Sequence, residues 1–184
     1  TKRGNAMLLD KRYDGERVFF WSRATSLLLA IPLFWALYSW SKELSGYSGA
    51  LLSLLFAALS PNLLAHATLI NTDFVLAATF FCAACTYRHL LLHPSRAALF
   101  VAGLALGLAL MSKLSALALL PALLAATAWF WRFSQPQQRR DLAQLFGTTR
   151  PIGPGAAYLA VCILALLVLW AGYGFRYAPY ILTV

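Results

Sequence analysis

Apolar residues arrive in six long runs, at about 24–41, 49–70, 74–92, 97–111, 114–131 and 155–174, separated by short polar or charged stretches. Most of the runs approach the ~20 residues that an α-helix needs to cross a hydrocarbon core of ~30 Å. The pattern predicts an all-α, polytopic integral membrane helix bundle of about six transmembrane helices, with residues 178–184 as the start of a seventh. The stretch from Ala97 to Phe133 is interrupted at Ser112, Lys113 and Ser115. As a single helix it would reach roughly 55 Å at 1.5 Å per residue, so two spans with a tight turn near Lys113 fit a bilayer better, although no Gly or Pro marks that turn. Residues 1–23 mix six basic and three acidic groups with Tyr13, Phe19, Phe20 and Trp21. That composition suits the end of an exoplasmic loop lying on lipid headgroups, after which residues 24–184 form the transmembrane core.

Composition strengthens this picture. The 184 residues are 61% hydrophobic and only 11% charged, too little charge to cover a soluble domain. The formal net charge of +9 sits mainly in the stretches between apolar runs, so it argues for membrane topology and against a nucleic-acid partner. Lys42, Arg88, Arg96, Arg132, Arg139, Arg140 and Arg150 fall on one side of the expected bundle, whereas the opposite internal loops offer Lys113 and Arg176. The positive-inside rule makes the first side cytoplasmic, and the basic opening segment escapes the rule as the end of a long exoplasmic loop. The chain opens on Thr1 without a signal pattern and stops at Val184 soon after a new apolar run begins, which reads as a fragment.

Several features read as packing. Cys82, Cys85 and Cys162 lie inside apolar runs and fit as small apolar side chains, so the C-x-x-C at Cys82 does not call for a metal. Gly103 and Gly107, in small-x-x-x-small spacing, would let a neighbouring helix approach closely. Residues 134–150 could place Leu142, Leu145 and Phe146 on one face of a short interfacial helix with Arg139 and Arg140 outside, or serve as a solvated connector.

Ionisable groups near membrane depth carry the chemical signal, because each costs about 2.5 to 3.5 kcal/mol at a helix centre. Asp73, Lys113 and Arg176 all fall at expected exoplasmic span ends and could converge on one site. Asn71, Thr72 or Asp73 can equally cap the helix that follows. Asn62, His66 and Asp73 share one helical face if the helix runs through them, giving a polar stripe that ends in a carboxylate, with Pro61 just before it able to open the helix. Lys113 would either snorkel to the headgroups or meet an anionic substrate head. Arg176, between Phe175 and Tyr177, would either anchor an interfacial aromatic belt or do the same.

At these residues the chain resembles the GT-C superfamily of polyprenyl-phosphate-sugar glycosyltransferases, in particular the protein O-mannosyltransferases and the lipid A aminoarabinose transferase. The matching strings are Leu59-Ser60-Pro61-Asn62-Leu63-Leu64-Ala65-His66 leading to Asn71-Thr72-Asp73, then Gly103 through Lys113, Leu120-Pro121, and Trp170 through Tyr177. The resemblance implies an inverting transfer of a sugar from a polyprenyl-phosphate donor to an acceptor hydroxyl on a protein or lipid, at the exoplasmic face. Such a transfer needs a carboxylate for the hydroxyl proton and cations for the departing lipid phosphate. By the resemblance, Asp73 is an acidic residue of the catalytic cavity. Lys113 and Arg176 face lipid phosphate, and Asn62, His66 and Asn71 line the substrate site. The family's principal acid lies in a first exoplasmic loop to which Asp10, Asp14 and Glu16 do not correspond, so the fragment alone is expected to be inactive. No residue pattern indicates a metal, and a divalent cation is left open. The Ala/Leu-rich style suggests a bacterial inner membrane with a periplasmic active site. The rival readings are a multi-pass transporter or lipid flippase, whose polar groups would line a path through the bilayer, and a noncatalytic scaffold, whose ionisable groups would point apart.

Overall fold

The computed structural model describes residues 15–68, 72–147 and 153–174. Every regular element among them is helical: α1 (Gly15–Ala58), α2 (Pro61–Thr68), α3 (Thr72–Leu92), α4 (Arg96–Ser112), a 3-10 turn (Leu114–Ala118), α5 (Leu119–Phe133), α6 (Pro136–Leu145) and α7 (Gly153–Gly172). The architecture is the all-α membrane helix bundle that the apolar runs predict. Its outer surfaces carry large apolar side chains such as Trp35, Phe56, Phe100, Trp129 and Leu166, as helices facing lipid require. The chain divides into two compact units, Thr1–Ala78 and Thr79–Val184.

The number of spans differs from expectation. Among the described residues, three helices are long and apolar enough to cross a membrane (Thr72–Leu92, Leu114–Phe133 and Pro154–Gly172), or four if the bent pair of α1 and α2 makes one span. Two physical reasons account for the shortfall from six. First, the polar stretch that parts the first two apolar runs is a kink and not a loop: two helical segments meet at Gly46 inside α1, and residues 15–23, read as a loop end, are its opening turns. Second, α4 has 17 residues, at the short end of what a span uses, and is not among the three. The expected loop at residues 1–14 and the expected seventh run at 178–184 lie outside the described residues.

In the first unit, α1 contains Pro32 and bends at Gly46, whose φ of 71° and ψ of −168° belong to a region that only glycine enters readily. Helix α1 ends at Ala58, and α2 leaves at an angle of 62°. Ser60 begins α2: its carbonyl accepts from Leu64 N–H at 3.0 Å and its hydroxyl from Leu63 N–H at 3.4 Å. Pro61 takes the first helical position, where a missing N–H costs nothing.

In the second unit, α4 and α7 form the principal helix pair. A Cβ built on Gly103 would lie 2.5 Å from Leu164 Cβ, and one on Gly107 would lie 2.6 Å from Val168 Cβ and 3.0 Å from the Ala165 carbonyl oxygen. The two small residues thus admit the α7 side chains against the α4 backbone, as their spacing predicts. Ser95 starts α4 by accepting from Ala98 N–H at 3.0 Å. The break expected near Lys113 is present. Ser112 Oγ turns back to the Ala109 carbonyl at 2.7 Å, Lys113 is extended, and the 3-10 turn leads into α5. A serine hydroxyl that competes for backbone carbonyls serves here in place of the absent Gly or Pro. The connector after α5 is a helix, α6, with Leu142 fully buried, Leu145 and Phe146 half-buried, and Arg140 exposed. Arg139 folds back on Ser134, donating from Nε to Oγ at 3.1 Å and from Nη2 to the carbonyl at 3.2 Å, which closes the end of α5.

Candidate functional site

Asn62 and His66 stand one turn apart on α2, and both are exposed. The break at Ser60-Pro61 gives this pair a helix of its own, detached in direction from α1. The spacing of four therefore places them on one face. The continuation of that face to Asp73 is a separate matter, because α2 ends at Thr68, α3 begins at Thr72, and Asn71 lies outside the described residues. Asp73 is exposed in the first turn of α3, where the positive end of the helix dipole favours a carboxylate.

Lys113 occupies the single extended residue between α4 and the 3-10 turn, with φ −161° and ψ 146°, and its side chain is exposed. Its carbonyl accepts from Ala116 N–H at 3.0 Å, so the backbone at this point is committed to the turn. Asp73 belongs to the first unit and Lys113 to the second. Arg176 lies outside the described residues, as does the aromatic cluster around it from Phe175 onward. The structure thus brings Asn62 and His66 together on one helix, sets Asp73 at the start of the next, and exposes Lys113 at a helix break.

One polar pair escaped the sequence reading. Tyr87 and Thr127, both buried, meet through their hydroxyls at 2.5 Å and join α3 to α5. The available signal was a hydroxyl in the middle of each of two apolar runs, since such a group must find a partner where water is absent. Tyr158 adds a second tie, donating to the Leu120 carbonyl at 3.2 Å from α7 to α5. These contacts fix helices and leave no buried side-chain polar atom unsatisfied among the described residues.

The three cysteines lie in α3 and α7 and form no disulfide with one another. Among the described residues, no group of three or more His, Cys, Asp or Glu side chains is arranged to hold a metal ion.

No curated protein and no solved structure gives a significant match to the chain. Residues 16–149, well over half of its length, match the sequence profile of the dolichyl-phosphate-mannose-protein mannosyltransferase family, and that stretch contains α1 to α6 with Asn62, His66, Asp73 and Lys113. By that match the chain belongs to this family of multi-pass membrane glycosyltransferases.

Proposed function

We propose that the protein transfers a sugar from a polyprenyl-phosphate donor to a hydroxyl of a protein or lipid acceptor, with inversion, at the periplasmic face of the inner membrane. The observation that carries this reading is the short helix after the Pro61 break, which presents Asn62 and His66 on one face and is followed by the exposed carboxylate of Asp73. These groups stand in an otherwise apolar stretch, inside the segment matched to the family. Family membership also favours transfer over transport. The placement on the periplasmic side rests on the distribution of Lys and Arg between loops.

In such a transfer the acceptor oxygen attacks the anomeric carbon as the bond to the lipid phosphate breaks. The hydroxyl proton passes to a carboxylate, and the leaving phosphate keeps the bonding electron pair. Asp73 supplies a carboxylate to this chemistry, with Asn62, His66 and Asn71 as hydrogen-bonding partners for substrate. Lys113, exposed at its helix break, suits a phosphate as a compact point charge, and Arg176 suits it as a planar fork.

The reading is tested in membranes that hold the intact enzyme. Asp73→Asn should leave membrane insertion unchanged and lower transfer of labelled sugar by about a hundredfold, within the range of acid–base contributions. Unchanged turnover would return Asp73 to favouring a helix N-terminus. Lys113→Gln should raise the KM for donor and leave the KM for acceptor unaltered, and Arg176→Gln should do the same. Wild-type donor dependence in both variants would reduce these cations to headgroup anchors.

A further inference from the structure

The last turn of α3 carries a histidine pair that the transferase chemistry does not use. His89 and His93 are both exposed, and their ring centroids are 5.1 Å apart with the planes inclined by 45°. His93 N–H donates to the His89 carbonyl at 2.8 Å, so the helical i, i+4 relation extends to His93 although α3 ends at Leu92. Pro94 follows and Ser95 opens α4, which holds both histidines at a tight junction between two helices.

We propose that His89 and His93 form a two-histidine clamp for a late first-row divalent metal ion of the Cu(II), Ni(II) or Zn(II) class. Two imidazoles bound to one tetrahedral ion at about 2.0 Å per metal–nitrogen bond hold their ring centres about 5 Å apart. The observed separation already meets that requirement, so binding needs rotation of the rings and no movement of the backbone. Histidines four apart on one helix face are a spacing that metal sites use. The negative end of the α3 dipole favours a cation at this position. Arg88 and Arg96, adjacent in sequence, oppose it. The balance selects for ions held by coordinate bonds to nitrogen and against Mg(II) and Ca(II), which take oxygen ligands. With no third protein ligand among the described residues, water completes the coordination and the ion exchanges readily.

The test is a Cu(II) titration of the detergent-solubilised protein, without an affinity tag, followed by electron paramagnetic resonance. The expected result is one ion per chain with two nitrogen donors, undisturbed by excess Mg(II). His89→Gln and His93→Gln should each weaken binding by about tenfold or more, as loss of one arm of a chelate does, and leave a single nitrogen donor. The chain has three histidines, and His66→Gln, which removes the remaining one, should leave the spectrum unchanged. Unaltered binding in both His89→Gln and His93→Gln, with their elution profiles and helicity intact, would overturn the proposal. So would failure of the native chain to bind Cu(II) more tightly than either variant.

Discussion

Thr127 Oγ1 donates to the Leu123 carbonyl at 2.7 Å, and Tyr87 Oη lies 2.5 Å from Thr127 Oγ1. A threonine hydroxyl has one proton. That proton is directed to Leu123, so Tyr87 is the donor to Thr127, and the two bonds run in one direction from α3 through a side chain into the backbone of α5. Both residues are buried, so the chain of bonds is closed to water.

Tyr87→Phe removes the donor and keeps the ring. Side-chain hydrogen bonds between membrane helices average about 0.6 kcal/mol, and a loss of that size is expected. Tyr87→Ala also empties the ring's volume and should cost about 3 to 5 kcal/mol, as other buried aromatic truncations do. Unfolding of the two variants in mixed micelles measures the difference. Equal losses would mean that the hydroxyl, and not the packed ring, holds α3 to α5.

Packing between α4 and α7 makes a graded prediction at three glycines. A methyl at Gly107 meets Val168 Cβ and the Ala165 carbonyl, neither of which can swing away, whereas a methyl at Gly172 meets the flexible end of Met111. Gly107→Ala should therefore destabilise by about 1 to 3 kcal/mol, the usual cost of overpacking, and Gly172→Ala by much less. At Gly103 the nearest obstacle is Leu164 Cβ at 2.5 Å, which alanine retains, so Gly103→Ala should destabilise as Gly107→Ala does and Leu164→Ala should not restore it. Thermal stability of the variants in detergent decides the order, and a Gly172→Ala loss equal to that of Gly107→Ala would contradict it.

At Gly46 nothing lies within 4 Å of a built Cβ, so crowding is not the issue and the backbone angle alone matters. Gly46→Ala should cost about 1 to 3 kcal/mol if the bend is kept, or else relax α1 towards a straight helix. Spin labels at Trp35 and Leu55, both in α1, read the outcome. A lengthened distance at full stability marks straightening, and an unchanged distance at lowered stability marks retained strain. Neither change would show that the bend does not depend on glycine.

The proposed membrane orientation rests on the charges of the loops and can be labelled directly. Cysteines replacing Arg96 and Arg140, both exposed, should react only with reagents that reach the cytoplasm. A cysteine at Leu114, beside Lys113 and 80% exposed, should react from the periplasm. Reversal of this pattern would place Lys113 on the cytoplasmic side and remove it from a periplasmic lipid phosphate.

Much of the candidate site is legible along the chain because its chemistry is local. Pro61 marks a helix start, Asp73 falls in the first turn of a helix, and Lys113 is a charge between apolar runs; each position is set within a few residues of itself. Asn71 and Arg176 remain known from the sequence only. The bend of α1 was not legible, since hydropathy records where a chain leaves lipid and not where its helix stops. Within the exposed stretch Lys42–Ser48, two helical segments join end to end at the non-helical backbone of Gly46, with no loop between them.

The sequence by itself determined that this is a membrane bundle of helices, where the break at Lys113 falls, and that Gly103 and Gly107 admit a close neighbour. It could not say that the neighbour is α7, that Tyr87 reaches Thr127, or that His89 and His93 meet at a helix end. Only the tertiary structure decided those pairings. In lipid, the positions that face the bilayer and those that face another helix are equally apolar, so the hydrophobic pattern that marks a span is silent about its partner, and shape and a few hydroxyls make the choice.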